Sequence, residues 1–131
     1  MSADEQAIDL TRVICRMAEL EPDAARPFTI GGGNWPLRGL VLRVGPHVHG
    51  YVNRCPHAGH PLDLIPGRFF TADGLLILCS SHGALFEKST GLCVAGPCVG
   101  QALERVALRV VAGCVMLAAD LEVSVRGDAP P

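Results

Sequence analysis

The amino-acid sequence predicts an all-β fold, an antiparallel β-sandwich or small barrel. Three observations lead there. Apolar residues recur in short runs, Gly, Pro, Asn or Asp separates those runs, and no window of a dozen residues keeps a helical period. Residues 8–16, 39–44, 48–53, 75–79, 85–88, 106–111 and 114–117 read as strands. Turn signals stand between them at Gly45-Pro46, Ala72-Asp73-Gly74, Ser89-Thr90-Gly91 and Ala112-Gly113. Residues 19–25 hold a helical turn at most. Short strands at regular spacing pack face to face or close on themselves, which is the basis of the sandwich or barrel. Two segments, 54–68 and 89–100, are too rich in Pro and Gly for strands and read as loops. The tail, 127–131, is expected to fray.

With no internal repeat and no linker, 131 residues suit one domain, taken here as 1–131. A chain 49% hydrophobic and only 18% charged buries enough apolar surface to fold. A net charge of −2 leaves no basic stripe for nucleic acid and no polybasic segment for an anionic membrane. The N-terminus begins acidic, without the apolar centre of a signal peptide. A spanning helix needs roughly 18 apolar residues, and the nearest run, 106–121, is interrupted by Arg109 and Gly113. These features predict a cytoplasmic protein. In that reducing compartment six cysteines point to metal rather than to a disulfide framework.

The chemistry concentrates in Cys55-Pro56-His57 and Cys79-Ser80-Ser81-His82. Each pair joins a thiolate ligand to an imidazole ligand, and each begins where a predicted strand runs into a loop. Paired strands fix the base of such a loop while its tip presents side chains. A Cys₂His₂ set can hold zinc, but structural zinc sites usually place two or more residues between paired ligands. The single residue between Cys55 and His57 crowds one tetrahedral ion. A dinuclear iron–sulfur cluster relieves the crowding, since each loop then gives its Cys to one iron and its His to the other. Zinc remains the alternative occupant.

Cys55-x-His57 and Cys79-x-x-His82, followed by Gly83, Gly91 and Gly96-Pro97, resemble the signature of the Rieske [2Fe–2S] family over roughly residues 37–117. The resemblance implies a Rieske-type β-fold whose cluster-binding part, about 54–98, carries two ligand loops and one [2Fe–2S] cluster per chain. It implies that Cys55 and Cys79 bind the buried iron and that His57 and His82 bind the outer one. Gly96-Pro97 resembles the proline loop that covers the cluster. One departure is the spacing: 21 residues separate His57 from Cys79, more than is common in the family. The excess is expected between Asp63 and Asp73.

Ligand charge sets the electronics. Two thiolates cancel the two positive charges of the oxidised core and neutral imidazoles add none. Rieske centres accordingly fall at roughly −150 to +300 mV, against about −400 mV for all-cysteine plant-type ferredoxins. Respiratory members tie the two loops with a disulfide; the matching positions here are His60 and Ser81. Those members also donate hydroxyls to the cluster where this chain has Ala84 and Phe86. A low-potential, ferredoxin-like centre is therefore expected, and no substrate pocket with an acid, base or nucleophile is evident. The resemblance implies an electron carrier, not a catalyst by itself, between a flavin-type reductase and an oxygenase or similar terminal acceptor. A subunit fixed within a larger oxidoreductase is the second reading, and a redox sensor or zinc-bound interaction module the third. Cys93 and Cys98 are expected to be packed thiols rather than a disulfide, Cys15 and Cys114 core residues, and Trp35 a cap on the core edge.

Overall fold

The computed structural model describes residues 12–21, 24–30, 37–56, 59–65 and 68–118. Among these described residues ten strands follow one another: β1 Val13–Arg16, β2 Ala25–Ile30, β3 Leu37–Val44, β4 His47–Val52, β5 Leu76–Leu78, β6 Leu85–Glu87, β7 Cys93–Ala95, β8 Arg105–Val106, β9 Leu108–Val111 and β10 Cys114–Leu117. All pair antiparallel, in three sheets of order β1-β10-β9, β2-β3-β4-β8 and β5-β6-β7. The all-β expectation holds.

β3 organises the core because both of its faces are covered. Leu40 and Leu42 point into a cluster with Tyr51, Ile77 and Phe86, while Val41 points the other way, toward Cys15, Leu20 and Val115. Side chains alternate along a strand, so one uninterrupted apolar run, Leu40-Val41-Leu42, serves two packing layers. Gly39 keeps the sheet close: a Cβ there would lie 2.5 Å from the Phe28 ring. Tyr51 fastens this sheet to the β6–β7 turn. Its ring is fully buried, its hydroxyl donates to the Lys88 carbonyl at 2.7 Å, and Gly91 packs against the ring.

The strand readings differ from the structure in three places. The helical turn lies at Met17–Glu19, and residues 25–30 form β2, which the Arg26-Pro27 pair hid. β2 is an edge strand, where a proline without an N–H is tolerated. Residues 89–100 are not all loop, since Cys93–Ala95 pair with β6. The run 106–111 is broken at Ala107 into β8 and β9, which belong to different sheets. Cys15 is buried as expected, whereas Cys114 is only half-buried. Trp35 and the tail 127–131 lie outside the described residues, as does most of the N-terminal part of the first predicted strand.

Candidate metal centre

Two loops leave the sheets side by side. The first follows β4 and carries Cys55; the second closes the β5–β6 hairpin, from Cys79 to Ala84. Their backbones repeat one pattern. The Cys55 N–H donates to the His60 carbonyl and the Cys55 carbonyl accepts the Gly59 N–H, both at 2.8 Å. The Cys79 N–H donates to the Ala84 carbonyl at 2.9 Å, and the Cys79 carbonyl accepts the Gly83 N–H at 3.0 Å. Both glycines are left-handed, at φ +77° and +78°, a conformation glycine adopts without the penalty a side chain brings.

Neighbouring residues brace the loops. The Asn53 side chain donates to Asp63 Oδ1 at 3.0 Å and its carbonyl oxygen accepts the Leu62 N–H at 2.7 Å. The Leu62 carbonyl accepts the Ser80 N–H at 3.0 Å, joining first loop to second. Gly96 closes the far side: a Cβ there would stand 2.8 Å from the Ala84 Cα, so the Gly96-Pro97 segment lies directly on the second loop.

Cys55 and Cys79 are 2% and 0% exposed and share one core cluster with Cys93 and Cys98. Burial pushes the Cys79 thiol up. The backbone N–H groups of Ser81 and His82 pull it down, and the adjacent Cys55 thiol raises it again. Two buried thiols side by side ionise together only when a cation offsets their charge, and N–H groups on the Cys79 sulfur favour the thiolate. Ser80 adds a second sign. Its buried hydroxyl finds no hydrogen-bond partner among the described residues, although an unpaired buried polar group costs about 1–3 kcal/mol. A thiol pair, N–H donors aimed at sulfur and an orphaned hydroxyl fit a site completed by a metal–sulfur group.

His82 stands exposed at the rim, its Nδ1 3.2 Å from Ser81 Oγ and its ring stacked on His60 at 6.0 Å between centroids. His57 lies outside the described residues. The structure thus brings Cys55 to Cys79, with the His82 backbone N–H on the Cys79 sulfur and the His82 ring turned to Ser81 and His60. No three His, Cys, Asp or Glu of the described residues close on one point. The second thiol pair is in contact too. Cys98 Sγ donates to Cys93 Sγ at 3.2 Å, Cys93 Sγ donates to the Ala95 carbonyl, and both remain free thiols. Burial first, then the Cys93 and Cys55 thiols, pushes Cys98 up to about 12, so it holds its proton at neutral pH.

The model of the Rieske [2Fe–2S] domain matches residues 11–114. The chain belongs to the Rieske [2Fe–2S] domain family. Its cofactor class is therefore the [2Fe–2S] cluster, not zinc. Among solved structures, the Rieske chain is similar to the ferredoxin of carbazole 1,9a-dioxygenase from Nocardioides aromaticivorans IC177, at 27% identity and TM-score 0.64, covering 81% of this chain and 94% of that one. A chain in the complex of reduced oxygenase and oxidised ferredoxin in carbazole 1,9a-dioxygenase matches at 26% identity and TM-score 0.65, over 81% and 99% of the two chains. The terminal oxygenase of carbazole 1,9a-dioxygenase from Novosphingobium sp. KA1 matches at 25% identity and TM-score 0.66, over 80% of this chain but 28% of its own. No curated protein matches the sequence. Among the described residues no helix is long and apolar enough to cross a membrane.

Sequence reasoning passed over Asn53, Gly59 and Ser80. Signals existed for the first two: an Asn at the end of a strand, and a Gly four residues after each cysteine. Nothing in the sequence marks the Ser80 hydroxyl as unpaired.

Proposed function

We propose that this Rieske chain is a low-potential electron carrier, a single domain over 1–131, working in the cytoplasm between a flavin-type reductase and an oxygenase or similar terminal enzyme. Its cluster is held by Cys55, His57, Cys79 and His82. The observation that carries the reading is the pair of buried thiols on two matched loops, Cys55 and Cys79, in a chain that matches two ferredoxin-type chains along 94% and 99% of their lengths.

When bound, the cluster supplies one reversible electron at a time. The protein's share is to keep the sulfur ligands dry, hold both loops rigid and leave the imidazole side near solvent. Cys55 and Cys79 lie in the core while His82 stands at the rim, so an electron would have its short route on the side of His82. Ala84 and Phe86, both fully buried, offer no hydroxyl to the site, which supports a potential near the bottom of the Rieske range.

Visible absorption of the purified chain, and its electron paramagnetic resonance after dithionite reduction, test the cluster. The expected result is a coloured protein with a one-electron Rieske signal and a midpoint below zero. A colourless protein holding zinc overturns it. Single-turnover mixing of the reduced chain with a Rieske oxygenase tests the partner class, the expected result being oxidation of the cluster. The larger-complex reading keeps one supporting observation: the same fold occupies 28% of an oxygenase chain. Isolation as a complex whose Rieske chain cannot be reduced reversibly alone would favour it.

A further inference from the structure

The spacer between Cys79 and His82 is two residues long, and both residues bond to the first loop. Ser80 does so from inside, its N–H donating to the Leu62 carbonyl at 3.0 Å. Ser81 does so at the rim, where its Oγ lies 2.8 Å from His60 Nδ1. His60 is anchored in turn, because its carbonyl accepts the Cys55 N–H at 2.8 Å and its ring stacks on that of His82, with 27° between planes. One residue therefore reaches from the backbone of Cys55 to the residue preceding His82. We propose that His60 and Ser81 are positioning residues, a hydrogen-bonded clasp that fixes the separation of the two ligand loops and so governs how long the cluster is retained. The inference rests on the reading that these loops hold a cluster.

The chemistry suits a clasp that is always closed. A hydroxyl both donates and accepts, so Ser81 Oγ pairs with His60 Nδ1 whether that nitrogen carries a proton or not. The bond is exposed at the rim and adds little to overall stability, yet it acts where a small opening separates one ligand loop from the other. No disulfide joins any of the described cysteines, so the loops rely on bonds of this kind.

The test uses the cluster-bearing protein and follows bleaching of its visible band under a chelator. His60→Ala and Ser81→Ala are each expected to bleach roughly two- to tenfold faster than wild type. The double variant should bleach no faster than the worse single, because the two side chains share one bond. His60→Asn, which places a polar atom as far from the backbone as Nδ1, should restore most of the retention, with the thermal midpoint little changed throughout. Single variants that bleach at the wild-type rate, or a double variant whose effect is the product of the singles, overturn the clasp. A second readout needs no cluster. In the cluster-free chain, Ser81→Ala should speed amide exchange at Ser80 and Cys55, and unchanged exchange likewise overturns the clasp. A wild-type chain that never takes up iron sinks the cluster reading instead, while the exchange measurement still decides the clasp.

Discussion

Gly59 and Gly83 occupy the same place in two copies of one turn, each donating its N–H to the carbonyl of the cysteine four residues before it. Both are left-handed, and a Cβ at either would meet nothing within 4 Å. Replacing them by alanine thus costs backbone strain alone, about 1–2 kcal/mol each. Gly96 differs. Its φ of +97° is combined with a Cβ position 2.8 Å from the Ala84 Cα, so backbone must also shift. Thermal unfolding should order the variants accordingly. Gly59→Ala and Gly83→Ala should lower the midpoint by several degrees, at roughly 3–6 °C per kcal/mol for this size. Gly96→Ala should lower it further, and a Gly96→Ala no worse than Gly59→Ala would refute the packing of the proline segment on the second loop.

The two thiol pairs should separate cleanly on iron content. Cys55→Ser and Cys79→Ser each remove a ligand of the proposed cluster and should take iron from two per chain to near zero, with loss of the visible band. Cys93→Ser and Cys98→Ser should keep their iron. They should instead unfold more easily, by roughly 1–3 kcal/mol, because a hydroxyl in place of a 1–2% exposed thiol is a poorer fit for an apolar core. Loss of iron from Cys98→Ser would place that thiol among the ligands and break the assignment.

Much of this site was legible because ligand chemistry constrains residue type and spacing. Cys55, His57, Cys79 and His82 stood out as two matched pairs, and strands such as 114–117 followed from apolar runs bounded by turns. What stayed hidden depends on tertiary neighbours. Pro27 reads as a strand breaker until β2 is known to be an edge, and the apolar run 106–111 gives no sign that its two halves join different sheets. The clasp was hidden too. His60 and Ser81 are 21 residues apart, and as separate letters they recorded only a missing disulfide, not the hydrogen bond that stands in its place.

The low potential proposed for this chain rests on two buried side chains. Ala84 and Phe86 are fully enclosed, and neither carries a donor. A hydroxyl added there toward the cluster stabilises the reduced, more negative state. A hydrogen bond to a charged group is worth about 1.5–3 kcal/mol, or roughly 60–130 mV for one electron. Ala84→Ser and Phe86→Tyr should therefore raise the midpoint by up to that amount in a redox titration, starting from a wild-type value below zero. A wild-type midpoint well above zero would overturn the low-potential reading.

His49 sets a pH dependence remote from the ligand loops. It lies on β4 beside Val48, opposite Leu42, and burial holds its imidazole below the ordinary value of 6.5, with Arg105 and His47 acting in the same direction. A histidine lowered on folding binds its proton more readily when the chain is unfolded. Stability is therefore complete above 6.5 and declines as pH falls through that value toward the lower folded one. His49→Gln removes the titration. Its unfolding midpoint should fall less steeply than that of wild type as pH drops from about 7 to 5. Measuring both midpoints across that window decides the matter, and parallel curves would mean that His49 does not carry the acid sensitivity.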